Sequence, residues 1–171
     1  MSKMNRRDFL KSSGVVAAIP VMGTAADAQA IETFDNNTRV NLSYPTARVA
    51  NLGELPINKA IAFNYPDSDS PCALIRMGYE VSGGIGPKKD IVAYSIRCNH
   101  MGCPLVYAAE SRTFKCPCHF SIFDSEKAGQ MVSGQATENL PRIRLFYDQS
   151  SGNIKAIGVD GLIYGRQANV L

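Results

Sequence analysis

The stretch RCNHMGCPL at 97–105 is followed, ten residues on, by KCPCHF at 115–120. Together these two knots hold four of the chain's five cysteines and both of its histidines. Thiolate and imidazole are the side chains that bind soft and borderline metals, and a thiol also supports redox exchange. The pattern is C-x-H-x(15)-C-x-x-H, carried by Cys98, His100, Cys116 and His119. Cys103 and Cys118 remain as an extra pair, one in each knot.

Outward from the knots the chain reads as β-structure. Short runs rich in β-branched and aromatic residues lie at 39–44, 59–65, 72–77, 91–97, 142–147, 153–159 and 162–165. Turn signals separate them: VSGGIGPKKD at 81–90, DQSSGN at 148–153, and the pair Asp160-Gly161, which predicts a tight hairpin. No long stripe of 3.6-residue period occurs after Ile31, so the fold class is all-β, an antiparallel sandwich or barrel. The knots fall on loops where strands end. Between them, 105–107 and 113–115 can pair as a hairpin that brings one knot back beside the other.

The chain has 171 residues, 45% of them hydrophobic and 19% charged, which suits one globular domain with a real core. Its net charge is +3. Without the first thirty residues 14 basic side chains face 13 acidic ones, so nothing points to nucleic acid or an anionic membrane surface. Those thirty residues read as a signal peptide. NRRDFLK at 5–11 carries a twin arginine, GVVAAIPVMG at 14–23 is weakly apolar, and Ala28-Gln29-Ala30 forms an A-x-A cleavage site. Paired arginines of this kind mark Tat export, which leads to the periplasm and to an environment that permits disulfides. Retention of the leader as an anchor is the alternative; the apolar run is shorter than the ~20 residues of a membrane span and contains Pro20. No stable membrane span is expected.

Several chemistries fit a two-Cys, two-His set. A structural zinc site is the plainest, although zinc motifs usually group cysteines in one knuckle and histidines in the other. A thiol redox pair would favour C-x-x-C over the C-P-C found here. A Cys–His nucleophile has no third orienting group in view. A Rieske [2Fe–2S] centre replaces two thiolates by two histidines on one iron, and one Cys and one His per loop suits it best.

CNHMGC and CPCH resemble the two cluster-binding boxes of Rieske proteins. The resemblance implies a Rieske-type antiparallel sandwich or barrel over 31–171, with a small cluster-binding subdomain formed by two loops at about 91–130. It implies one [2Fe–2S] cluster, with Cys98 and Cys116 on the inner iron and His100 and His119 on the outer one. It further implies a disulfide between Cys103 and Cys118 that ties the loops. Neutral imidazoles in place of thiolates raise the reduction potential above that of an all-cysteine ferredoxin. In Rieske proteins of cytochrome bc complexes the second box continues with Gly, then Ser, then a Tyr two residues on. Here Phe120 takes the Gly place, Ser121 keeps its hydroxyl and Phe123 replaces the Tyr. Ser121 and Phe123 are therefore expected to tune the potential to an intermediate value, although both could simply pack the loop base.

CPCHFSIFD at 116–124, the Tat leader and the C-terminal GVDGLIYGRQANV resemble the small subunit of bacterial arsenite oxidase. That likeness implies a large molybdopterin subunit as partner, carrying a [3Fe–4S] cluster, with electrons passing to the Rieske centre and on to a cytochrome c or cupredoxin. This chain shows no pterin-binding signature, and no catalytic residue is expected in it. The alternatives are a quinol-oxidising cytochrome bc-type Rieske subunit, a Rieske ferredoxin serving an oxygenase, and a non-redox zinc-binding module.

Lesser signals have simpler readings. Cys72 sits in an apolar run and reads as a buried core thiol. Met101 and Pro104 read either as an apolar rim beside the histidines or as loop packing. Arg97 and Lys115 read as solvated basic residues, and DSEKAG from Asp124 reads as a turn.

Overall fold

The computed structural model describes residues 43–170. The leader at 1–30, its cleavage site and most of the expected strand at 39–44 lie outside the described residues; Ser43 and Tyr44 are irregular. The strands are β1 (Ala47–Asn51), β2 (Ala60–Asn64), β3 (Pro71–Arg76), β4 (Ile91–Ser95), β5 (Val106–Ala108), β6 (Thr113–Lys115), β7 (Ile122–Asp124), β8 (Gln130–Ser133), β9 (Arg142–Tyr147) and β10 (Asn153–Asp160). Every pairing between these strands is antiparallel. They form a six-stranded sheet in the order β1-β10-β9-β4-β3-β2 and a four-stranded sheet in the order β5-β6-β7-β8.

β3 and β4 read as continuous apolar runs, PCALIR and IVAYS, because both of their faces are covered. Successive side chains point to opposite faces of a strand. Cys72, Leu74, Ile91 and Ala93 enter an inner core with Ile143, Ile154 and Ala156 of β9 and β10. That core also takes Ala50 from β1, with Ile61 and Phe63 of β2 packed against it, so the large sheet curls around it. Ala73, Ile75, Val92 and Tyr94 point the other way, into a second core shared with Phe114, Phe123, Cys98 and Cys116.

The small sheet is an insertion between β4 and β9. The chain leaves the large sheet after Ser95 and returns at Arg142, where Tyr94 pairs with Arg142 across the gap. Tyr94 is fully buried and links the two sheets. Its ring meets Phe114 of β6 edge-on at 5.9 Å, and its hydroxyl donates to the Ser125 carbonyl at 2.8 Å. The small sheet continues past residue 130, to Ser133 in β8.

The expected hairpin between the knots forms as β5 and β6, with Val106 opposite Lys115 and Ala108 opposite Thr113. Two expectations need correction. Asp160-Gly161 does not turn a hairpin, and 162–165 is not a strand. Gly161, at φ +89°, ends β10, and the backbone N–H of Ile163 donates to the Asn169 side chain at 2.9 Å instead of to a strand partner. β1, β7 and β8 have no counterpart among the expected strands; they are short and contribute few buried residues.

Candidate metal centre

The two knots fold into loops of one geometry. Arg97 bridges Pro104 across the first, and Lys115 pairs with Ile122 across the second. In the first, Cys98 N–H donates to Cys103 O at 2.9 Å and Gly102 N–H donates to Cys98 O at 2.7 Å. In the second, Cys116 N–H donates to Ser121 O at 2.8 Å and Phe120 N–H donates to Cys116 O at 3.1 Å. Closing each turn requires a left-handed residue four places after the cysteine. Gly102 supplies it at φ +72°, and Phe120 supplies it at φ +60°. The first is cheap for glycine; the second costs a bulky residue about 1–2 kcal/mol.

This duplication brings like groups together. Cys98 and Cys116 are both buried, and their thiols lie side by side. The N–H groups of His100 and Met101 face the Cys98 sulfur, and those of His119 and Cys118 face the Cys116 sulfur. Burial, reinforced by the Cys116 sulfur beside it, raises the Cys98 thiol above its ordinary pKa. Burial also opposes the Cys116 thiolate, but the two facing N–H groups and the Cys98 thiol outweigh it and lower its pKa. Further out, His100 and His119 present Nδ1 to Nδ1 at 3.2 Å, with rings nearly perpendicular. The His119 side of the pair is exposed. That separation is what two imidazoles on one metal at about 2.1 Å each would show.

Cys103 and Cys118 form a disulfide across the two loops. Among the described residues the metal-type donors gathered in a group of three or more within 4.8 Å are Cys103, Cys116 and Cys118, and two of these sulfurs are bonded to each other, so no thiolate trio exists. A single tetrahedral zinc would draw its four donors to within about 4 Å of one another. The sulfur pair and the nitrogen pair do not gather that way. Two separate donor pairs, one of thiols and one of imidazoles, fit a two-iron cluster with mixed ligation.

Ser121 is fully buried, and its hydroxyl accepts from Gln135 N–H at 3.1 Å and Ala136 N–H at 3.0 Å. With both lone pairs used, the hydroxyl proton is left to donate elsewhere. Phe123 is fully buried in the same core as Cys98 and Cys116. Cys72 is a core thiol, as expected: its sulfur donates to the carbonyls of Tyr65 and Ser70 at 3.4 Å, and burial pushes its pKa up to about 12. Met101 is exposed at the tip. Lys115 is exposed, but Arg97 is half-buried and donates to Asp69 O at 3.2 Å, so it is not simply solvated. Sequence reasoning missed the backbone donors to Ser121 and the Asn99 side chain, which donates to Asn139 O at 2.5 Å and ties the first loop to the segment that leads into β9. No spacing signal marks either contact.

Two loops of this kind, on an insertion in an antiparallel sheet, define an iron–sulfur protein with histidine ligands. Residues 47–144 match the Rieske [2Fe–2S] domain, and the chain belongs to that family and carries one [2Fe–2S] cluster. Over 97% of its length and 86% of the relative's, it is 36% identical to the iodate reductase subunit IdrB of Denitromonas iodatirespirans. A second IdrB, from Pseudomonas sp. strain SCT, is 38% identical over 95% of this chain and 82% of its own. The cytochrome bc1 Rieske iron–sulfur subunit of Streptomyces lividans is 38% identical over 40% of this chain and 40% of its own. Among solved structures, the soluble domain of Rieske protein II (soxF) from Sulfolobus acidocaldarius superposes with a TM-score of 0.64 at 27% identity, covering 73% of this chain and 83% of that one. Residues 3–23 match a Tat signal sequence, which directs the chain to the periplasm. Among the described residues no helix is long and apolar enough to cross a membrane.

Proposed function

We propose that this chain is the electron-transfer subunit of a periplasmic molybdopterin oxidoreductase of the arsenite oxidase type, with Cys98, Cys116, His100 and His119 as the cluster ligands. The observation that carries the ligand assignment is that each loop gives one buried thiol to a touching pair and one imidazole to a facing pair. The cluster supplies one-electron transfer at a potential raised by imidazole ligation. The chain's own residues do the rest. Cys98 and Cys116 hold the buried side, where facing N–H groups offset thiolate charge. His100 and His119 turn Nδ1 toward each other, so that a metal held between them would leave each Nε2 on the far side of the ring. The disulfide holds one loop against the other. The Ser121 hydroxyl would donate a hydrogen bond toward a cluster held there.

The near-complete coverage of the iodate reductase subunits supports a role beside a large catalytic subunit, against the partial match to the cytochrome bc1 relative. Arsenite as substrate rests on the resemblance of CPCHFSIFD and the C-terminal segment to the arsenite oxidase small subunit. In that reading electrons enter from the partner and leave to a cytochrome c or cupredoxin. The test is purification from the native periplasm. A large molybdenum protein should accompany this chain, and arsenite should bleach the visible iron–sulfur spectrum. Iodate re-oxidising the reduced complex while arsenite leaves it unchanged would reverse the direction of flow and replace the substrate.

A further inference from the structure

The C-terminal segment at 161–169 has no role in the site described so far, yet it is held in place by many bonds. Ile163 is fully buried in the inner core. Asn169 is buried too, and its side chain accepts from Ile163 N–H at 2.9 Å while donating to Gly161 O at 2.7 Å and to the Tyr44 hydroxyl at 3.1 Å. Arg166 pairs with Asp67 at 2.7 Å, and the same loop's Asp69 carbonyl accepts from Arg97, the residue before Cys98. The segment so fixed lines one side of a cleft of about 580 Å³, with the first loop on the other, and meets that loop at Tyr164. One edge of the Tyr164 ring abuts Gly102: a β-carbon placed there would stand 2.7 Å from two ring carbons. Gly102 is the residue whose N–H closes the turn onto Cys98.

We propose that the 161–169 segment clasps the first loop through Tyr164, which acts as a positioning residue for Cys98 and His100. The inference rests on the ligand assignment made above. The two loops share one backbone geometry but not one support: at the left-handed position Gly102 carries the Tyr164 ring, whereas Phe120 projects 77% exposed. The disulfide restrains the first loop at Cys103, at its closing end, and makes no bond to Met101 or Gly102. The ring supplies the restraint there. Groups that orient metal ligands from behind govern how long a metal is retained.

The experiment uses the isolated, cluster-loaded chain and follows the loss of visible absorbance under a fixed chelator challenge, together with the EPR line shape of the reduced form. Tyr164→Ala should lose its cluster roughly ten-fold faster than the parent and broaden the EPR features, the scale found for such supporting residues. Tyr164→Phe, which keeps the ring, should match the parent. Gly102→Ala should accelerate loss more with Tyr164 in place than in the Tyr164→Ala background, because only the first sets a methyl group against the ring. Asn169→Ala loosens the segment from its far end and should also speed loss, which gives a second route should Tyr164→Ala fail to fold. Parent-like retention in Tyr164→Ala or, failing that variant, in Asn169→Ala would overturn the clasp, as would additive effects of the Gly102 and Tyr164 changes. A parent chain that is itself colourless and iron-free would overturn the ligand assignment instead.

Discussion

Removing the Ser121 hydroxyl should change stability and potential together, for separable reasons. In Ser121→Ala the N–H groups of Gln135 and Ala136 lose their acceptor. Gln135 is exposed and finds water, whereas Ala136 is buried at 2% exposure and keeps an unsatisfied donor. One buried orphan costs about 1–3 kcal/mol, so the variant should be less stable by that amount and melt earlier. The hydroxyl proton is the second loss. A donor that bonds more strongly to the more negative, reduced cluster by ~1 kcal/mol holds the potential up by about 40 mV for one electron. Its removal should lower the midpoint by that much, read by an EPR-monitored redox titration alongside a thermal melt. Ser121→Thr, which keeps a hydroxyl, should retain most of the potential. A Ser121→Ala protein that is less stable but shifted by less than about 10 mV would show that the hydroxyl only anchors 135–136, and would refute the tuning role.

Other perturbations follow from the same geometry. Phe123→Tyr adds a hydroxyl in the core that holds both thiols and should raise the midpoint in the same titration; an unchanged value would remove Phe123 from the tuning argument. Phe120→Gly relieves a left-handed aromatic residue that is largely exposed, and should stabilise the chain by about 1 kcal/mol in urea unfolding. Cys103→Ser opens the crosslink across 15 residues and should cost the cluster-free chain about 3 kcal/mol, and the loaded chain less, since the cluster pins the same loops. Burial works against the Asp67 carboxylate, but the Arg166 guanidinium, the Asp69 N–H and the Ser70 hydroxyl outweigh it and hold its pKa below the ordinary 3.8. A depressed carboxylate stabilises the fold above its unfolded value and stops doing so as pH falls through its folded one. The melting difference between parent and Arg166→Ala should therefore be largest near neutrality and narrow as the solution is acidified below 3.8.

Much of the site was legible because its chemistry is concentrated in the residue types themselves. Cys98, His100, Cys116 and His119 stand out where the chain offers no other imidazole, and the hairpin of β5 and β6 could be read from its two flanking runs. β3 and β4 were equally clear, since a strand covered on both faces leaves an unbroken apolar run. The 162–165 run misled because Ile163 looks like a strand residue, yet its N–H bonds to an Asn side chain six residues away. β7 and β8 were missed because three or four residues with few buried positions leave no alternation to detect. The matching turn geometry of the two loops was hidden for another reason: a left-handed position is announced by Gly102 and disguised by Phe120.

By itself the sequence determined which ligands are offered, that they arrive on two loops, and that the surrounding chain is β-structure bound for export. Only the tertiary structure decided that the two loops close in one left-handed turn geometry and that Tyr164 reaches back to Gly102. Local spacing governs what a loop can present to its own neighbours in the chain. Contacts between residues tens of positions apart depend on how the sheets pack, and no short stretch of sequence encodes that.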